Sequence, residues 1–264
     1  LFFIIWGLII VAKNTIFKPI LSGLFGLLIA MLVYGSIYYI FDGVSTTFDD
    51  DFTSGNYSTN YYKSDYDKAV KYGNIDIKTG AASIKIQDTT SNLVDGWTKS
   101  TWGNYFFDTR ISDSTAWVEF SNEGEHEFHF RDKIRNNISM KLNPNVIWDF
   151  NLDIGAAKTN LDLSPFMVRN LELNTGASSN VIKIGDKLER TYITVEMGAA
   201  SLRIKVPKES GCRIDGDLVL SSNNLKSFVK VSKNVYETNN YNSAVKKVLI
   251  TVDGGVSKFN VETY

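Results

Sequence analysis

The histidines, His126 and His129, stand in the run Glu125-His126-Glu127-Phe128-His129-Phe130. On a strand, Glu125, Glu127 and His129 would share one face and offer oxygen and nitrogen ligands to a metal, with His126, Phe128 and Phe130 opposite. A solvated charged face backing an apolar one explains the same alternation, so no metal site is assigned. Asp215, Gly216 and Asp217 resemble a fragment of a calcium loop. The remaining acidic ligands and their spacing are missing, and a plain Asp-Gly turn is expected instead. Cys212, the single cysteine, has no disulfide partner and no nearby Cys or His for zinc, and is expected to be a small strand or turn residue. There is no G-x-S-x-G elbow, no phosphate-binding glycine loop and no Cys/His pair. Charged residues at strand positions are scattered, not clustered as a polysaccharide-cleaving solenoid would need. No catalytic residue, metal ligand or cofactor is therefore assigned, and the chain reads as non-enzymatic.

Bulk composition narrows the classes further. A formal net charge of -1 leaves no cationic excess to displace counterions from phosphates, which argues against nucleic acid as a partner. Glycine outnumbers proline, 19 to 4, and Asn, Asp, Ser and Thr are frequent, as suits short strands and tight turns.

Apolar residues concentrate at the start of the chain. Ile20 to Phe41 holds no charged residue across 22 positions, and a helix needs about 20 apolar residues to cross a bilayer core. A transmembrane helix is expected there. Ser22, Gly26 and Ala30 recur every four residues, a small-residue stripe that would admit a partner helix closely, although Gly and Ala are common in membrane helices anyway. Leu1 to Ala12 is too short to span alone and reads as the tail of an earlier helix, so residues 1–41 form a transmembrane region. Lys13 and Lys18 lie between the two runs, whereas Asp42, Asp49, Asp50 and Asp51 follow the second. By the positive-inside rule the connection is cytoplasmic and the following domain extracytoplasmic, in a multi-pass protein of the cell membrane.

Residues 42–72 read as a juxtamembrane linker rich in Ser, Thr, Asn and Asp. Its aromatic residues, Phe48, Phe52, Tyr57, Tyr61, Tyr62 and Tyr66, suit either lipid headgroups or the edge of the next domain.

From residue 73 to 264 the chain repeats. When Gly80, Gly155, Gly176, Gly198 and Gly255 are aligned, the positions five and three before them are all apolar, as in Ile75 and Ile77, or Leu171 and Leu173. Alternation resumes afterwards, with Ile84 and Ile86, Leu161 and Leu163, and Ile182 and Ile184. Each unit is then strand, corner, strand, with glycine where a side chain would obstruct or φ is positive. The central glycines are 21 and 22 residues apart, the size of a solenoid coil. No unit that small buries its apolar face alone, so the units must stack as an all-β, solenoid-like domain. Residues 88–148 interrupt the register as an aromatic-rich insertion, with a hairpin over 104–111 and 115–120 and a further strand over 125–130. Its Trp97, Trp102, Trp117 and Trp148 are expected mainly in the core, with a sugar-stacking surface as the alternative.

The corners in IDIKTGAASIKI, LDIGAAKTNLDL, LELNTGASSNVIKI and ITVEMGAASLRIKVP, preceded by apolar helices, resemble the toast-rack β domains of LiaF-like cell-wall-active-antibiotic response proteins. The resemblance implies a bacterial envelope-stress role without enzymatic activity, exercised through a membrane protein partner such as a sensor histidine kinase. Related toast-rack domains include candidate adhesins. Two classes follow: a regulator acting through its membrane helices, which is favoured, or a surface module recognising glycan or another surface.

Overall fold

Strands form wherever apolar and polar residues alternate, because period two gives each strand one face to bury. The computed structural model describes residues 57–101, 104–122, 136–218, 222–225, 227–255 and 258–264. The chain divides into Leu1–Gly43 and Val44–Tyr264, and all described residues belong to the second unit. The expected transmembrane region and its stripe of Ser22, Gly26 and Ala30 lie outside them, as do residues 42–56 of the linker. Among the described residues all regular structure is strand, and no helix is long and apolar enough to cross a membrane.

The strands run in chain order as β1 (Ser58–Ser64), β2 (Tyr72–Thr89), β3 (Val94–Ser100), β4 (Tyr105–Ser112), β5 (Thr115–Asn122) and β6 (Asn136–Leu142). Next come β7 (Ile147–Leu163), β8 (Met167–Ile184), β9 (Arg190–Met197), β10 (Ala200–Val206) and β11 (Gly211–Leu218). The last are β12 (Ser222–Asn224), β13 (Phe228–Ser232), β14 (Val235–Thr238), β15 (Lys247–Gly254) and β16 (Lys258–Thr263).

Each long strand changes phase at its glycine. In β2 the inward residues are Ile75, Ile77 and Thr79, then Ala82, Ile84 and Ile86. Gly80 and Ala81 both point away from the core, so the buried set moves from odd to even positions. The same step occurs from Ile154 to Ala157 in β7, from Thr175 to Ser178 in β8, and from Met197 to Ala200 between β9 and β10. Two outward residues in succession turn the buried side of the strand, which makes the corner without interrupting the ladder. Buried residues of both arms join one hydrophobic cluster.

The arms before the corners pair in parallel in the order β5, β2, β7, β8, β9, β15, β11. The arms after the corners pair in parallel as β6, β2, β7, β8, β10, β16, β12. At both ends the chain order is broken: the coil of β5 and β6 stacks outside the earlier β2, and the coil of β11 and β12 stacks outside the later β15 and β16. Antiparallel strands then finish the stack, β4 on β5, β3 and β1 on β6, and β14 and β13 on β11. The long gaps between glycines thus hold extra coils and their caps, as terminal units of a repeat stack require.

Three returns between coils begin at Pro144, Pro165 and Pro207, whose fixed φ starts a turn and whose missing N–H breaks the ladder. Phe166 closes one return, donating its N–H to Leu163 O at 3.1 Å, and is 1% exposed.

Two expectations are corrected. The linker does not extend to residue 72, because β1 pairs antiparallel with β3 over Ser58–Ser64 and puts Tyr62 against the core. Asp215, Gly216 and Asp217 form no turn: they lie on β11, where the facing Val252 fills the space a Gly216 side chain would take. The aromatic-rich stretch belongs to the stack, with β5 and β6 as its end coil. The hairpin is present as β4 and β5, with Asp113 at φ 54 in its turn. The strand expected over 125–130 lies outside the described residues.

Candidate binding surface

The five corner glycines form a column through the stack. An added Cβ on Gly155 would lie 2.6 Å from Gly80 O, one on Gly176 2.8 Å from Gly155 O, and one on Gly198 3.1 Å from Gly176 O. On Gly255 the nearest atom would be Gly198 O at 3.6 Å, and Gly80 faces open space. None of the five has a positive φ. Of the two reasons expected for glycine, obstruction therefore holds at Gly155, Gly176 and Gly198, and backbone conformation at none. The ladder continues through the corner, with Gly198 N donating to Thr175 O at 3.0 Å and Gly255 N to Met197 O at 3.1 Å.

Behind the corner the interior is polar. Thr159 Oγ1 donates to Asn180 Oδ1 at 2.8 Å, and Asn180 Nδ2 to Ser178 Oγ at 2.7 Å, all three buried. Nearer the first end, Ser100 Oγ donates to Asn136 Oδ1 at 2.7 Å, and Asn136 Nδ2 to Ala81 O at 2.9 Å. Such pairs remove the penalty of burying polar groups and hold the coils in one register. Thr175 Oγ1 is buried there without a partner.

The outer faces present the accessible chemistry. The sheet before the corners carries Asp76, Asp153, Glu172, Glu196, Asp215 and Asp253 outward. The sheet after them carries Lys85, Lys99, Lys141, Lys158, Arg203 and Lys258 outward. The first face also carries Lys78, Arg169, Arg190, Arg213 and Lys247, and the second Asp95, Asp162 and Glu262, so net charge near zero conceals an excess of carboxylates on one face and of cations on the other.

Aromatic residues divide by strand parity. Trp148 is fully buried, its Nε1 donating to Asn143 O at 2.9 Å, and Tyr105 stacks on Phe120 at 4.9 Å between ring centroids. Trp97 and Trp117 occupy outward positions and are 39% and 41% exposed. Tyr61 lies directly across from Trp97 and is 82% exposed. Beside this pair are two shallow depressions, one of about 320 Å³ with Lys63 and Lys141 in its wall, the other of about 450 Å³ with Lys85 and Lys99. Tyr57 carries the Lys99 ammonium 4.0 Å above its ring. Trp102, Phe48 and Phe52 lie outside the described residues.

Reactive chemistry is sparse. Burial pushes the Tyr105 hydroxyl up to about 12, and it pushes the Cys212 thiol upward as well, so neither supplies a nucleophile at neutral pH. Among the described residues no three His, Cys, Asp or Glu side chains approach as a metal cluster would. Glu125, His126, Glu127 and His129 lie outside them. What sequence reasoning missed is the aromatic pair on the outer face, which strand register alone brings together.

Residues 52–205 match a family described as the N-terminal domain of toast_rack, DUF2154. Among solved structures, a candidate cell adhesion protein from Clostridium sporogenes is similar at 17% identity and a TM-score of 0.74, over 79% of this chain and 100% of its own. A candidate adhesin from Bacteroides fragilis aligns at 9% identity and a TM-score of 0.30, over 79% of this chain and 98% of its own. Another, from Parabacteroides distasonis, aligns at 14% and 0.26, over 80% and 98%. None of the curated proteins compared with the chain matches it. At 17% identity the likeness to the Clostridium sporogenes protein is one of fold.

Proposed function

The chain belongs to the toast-rack family through its N-terminal domain, and we propose that it is a non-enzymatic interaction module, tethered to a bacterial cell membrane by residues 20–41 and presented outside the cell. The observation that carries this reading is the Tyr61 and Trp97 pair, held on a register-locked sheet with both rings open to solvent. Large rings exposed side by side on a rigid face are a recognition surface, since they bring contact area with little ordering cost. The Clostridium sporogenes neighbour, described as a candidate cell adhesion protein, supports the same direction.

A second reading rests on a different observation, the Ser22, Gly26 and Ala30 stripe in the apolar segment. In it the protein is a regulator of the cell-envelope stress response, LiaF-like, and its membrane helix packs against a sensor histidine kinase. One experiment separates the two in whole cells, with binding to cell-surface material and a cell-wall-stress reporter read together. The module reading expects Tyr61→Ala with Trp97→Ala to weaken surface binding, and Gly26→Leu to behave like the control Leu28→Ile in both readouts. A changed reporter for Gly26→Leu, with surface binding indifferent to the aromatic pair, overturns it in favour of regulation. Cysteine labelling beyond Phe41 from outside intact cells tests the topology, and labelling only after lysis would reverse it.

A further inference from the structure

We infer that the outer face of the sheet after the corners is a binding strip for a linear anionic glycan. This rests on the module reading above and gives its ligand a chemical class.

Strand register sorts that face into rows. One row runs Thr59, Lys99, Asn137, Ser83, Lys158, then Ser179, Ser201 and Lys258. Its neighbour runs Tyr61, Trp97, Ser139, Lys85, Asn160, then Val181, Arg203 and Asn260. Neither row contains a carboxylate; hydroxyls, amides and Val181 stand between the cations. The third row differs, because there Lys183 pairs with Asp162 at 3.3 Å and Lys205 with Glu262 at 3.5 Å. Charge on the third row is neutralised within the protein, and Lys99 in the first already lies over the Tyr57 ring, while Lys85, Lys158, Arg203 and Lys258 make no ion pair among the described residues.

The geometry selects the occupant. Lys85 on β2 and Lys258 on β16 stand four strand spacings apart, about 19 Å at the usual separation of paired strands, and the strip is only two rows wide. A chain with repeating negative charge follows such a line, meeting cations on β2, β7, β10 and β16 in turn. A bilayer would also cover the third row and bring its headgroups against Asp162 and Glu262. Sugar as the backbone is indicated by Trp97 and Tyr61 at one end of the strip, where rings can stack on pyranose faces, and by the Ser and Asn side chains suited to hydroxyls. The acidic outer face of the other sheet makes a second copy of the chain the competing occupant.

The test uses the full chain in neutral detergent, with dextran sulfate as probe and unmodified dextran as the uncharged control. Wild type should bind dextran sulfate far better than dextran, and binding should fall steeply with salt. Neutralising Lys85, Lys158, Arg203 and Lys258 together, each to Gln, should weaken binding about tenfold or more at unchanged thermal midpoint. Neutralising Asp153, Glu172 and Glu196 on the other sheet should leave binding intact. Undiminished binding by the cation variant overturns the inference. So does equal binding to sugar-free phosphatidylglycerol vesicles, which would assign the strip to lipid. Concentration-dependent self-association abolished by either set of variants would assign it to a second copy and overturn it likewise. If the aromatic pair still controls cell-surface binding while the cation variant is indifferent, the strip fails and the module reading stands.

Discussion

Replacing each corner glycine in turn by alanine should give a graded series, because the five positions share a role but differ in room. A Cβ on Gly155 meets Gly80 O at 2.6 Å, so the two coils must part by about 0.8 Å before that contact reaches the 3.4 Å of ordinary van der Waals distance. The obstructing atom is a backbone carbonyl in a paired ladder and cannot rotate away. Forced expansion of this kind costs about 1–3 kcal/mol. Against it stands a gain of about 0.4–1 kcal/mol, since alanine lowers the entropy of the unfolded chain wherever its φ is acceptable. At Gly155 the obstruction wins. At Gly176 the contact is 2.8 Å and at Gly198 3.1 Å, so the penalty shrinks along the stack. At Gly255, 3.6 Å from its neighbour, and at Gly80, with nothing near, only the gain remains. With about 2–4 °C per kcal/mol for a domain this size, Gly155→Ala should lower the thermal midpoint by several degrees while Gly80→Ala raises it slightly. Circular dichroism melts of the full chain in detergent read the order directly. Equal losses at all five positions, or the largest loss at Gly80, would refute the stacking argument.

Asn180→Ala should cost about 1–3 kcal/mol, because it strands the buried hydroxyls of Thr159 and Ser178, whereas Thr175→Val should be neutral or stabilising because its hydroxyl has no partner to lose. Chemical denaturation midpoints compare the two, and a reversed order would count against the polar interior as described. Asp162 supplies a pH dependence. Burial alone would raise its pKa, but hydrogen bonds from Ser164 and from Lys183 outweigh that and hold it below 3.8. Its stabilising contribution is therefore complete above pH 3.8 and is lost as pH falls through the lower folded value, so Asp162→Asn should flatten the acid limb of the stability profile. An acid limb identical to wild type would show that the Lys183 contact carries nothing.

The repeat was legible because each unit buries its face in the same way. Ile75 and Ile77, Leu171 and Leu173, and their equivalents mark the strands, and the glycines mark the corners, since both signals are local. Pro144, Pro165 and Pro207 stand one or two residues beyond a strand end, at the returns between coils. The end coils were not. β5 stacks on β2 and β11 on β15 out of chain order, and no local pattern records which coil will be outermost. The linker was misread at β1 because Ser, Asn and Lys on its sequence mimic a tether, and only pairing with β3 supplies its missing apolar contacts.

The sequence by itself determined the all-β class of this domain, the coil repeat and the corners at Gly80, Gly155, Gly176, Gly198 and Gly255, because period-two alternation and glycine spacing act within a few residues. Tertiary structure decided which coils are neighbours, and with that everything that depends on side chains from distant strands standing in one row. Tyr61 meets Trp97 only because antiparallel pairing sets β1 against β3, and Lys158 and Lys258 share a line free of carboxylates only because parallel register brings residues from separate coils abreast. A chain with a net charge of -1 thereby presents one acidic and one basic face, a division made by the phase change at each glycine, which sends the outward residues of the two arms to different sheets.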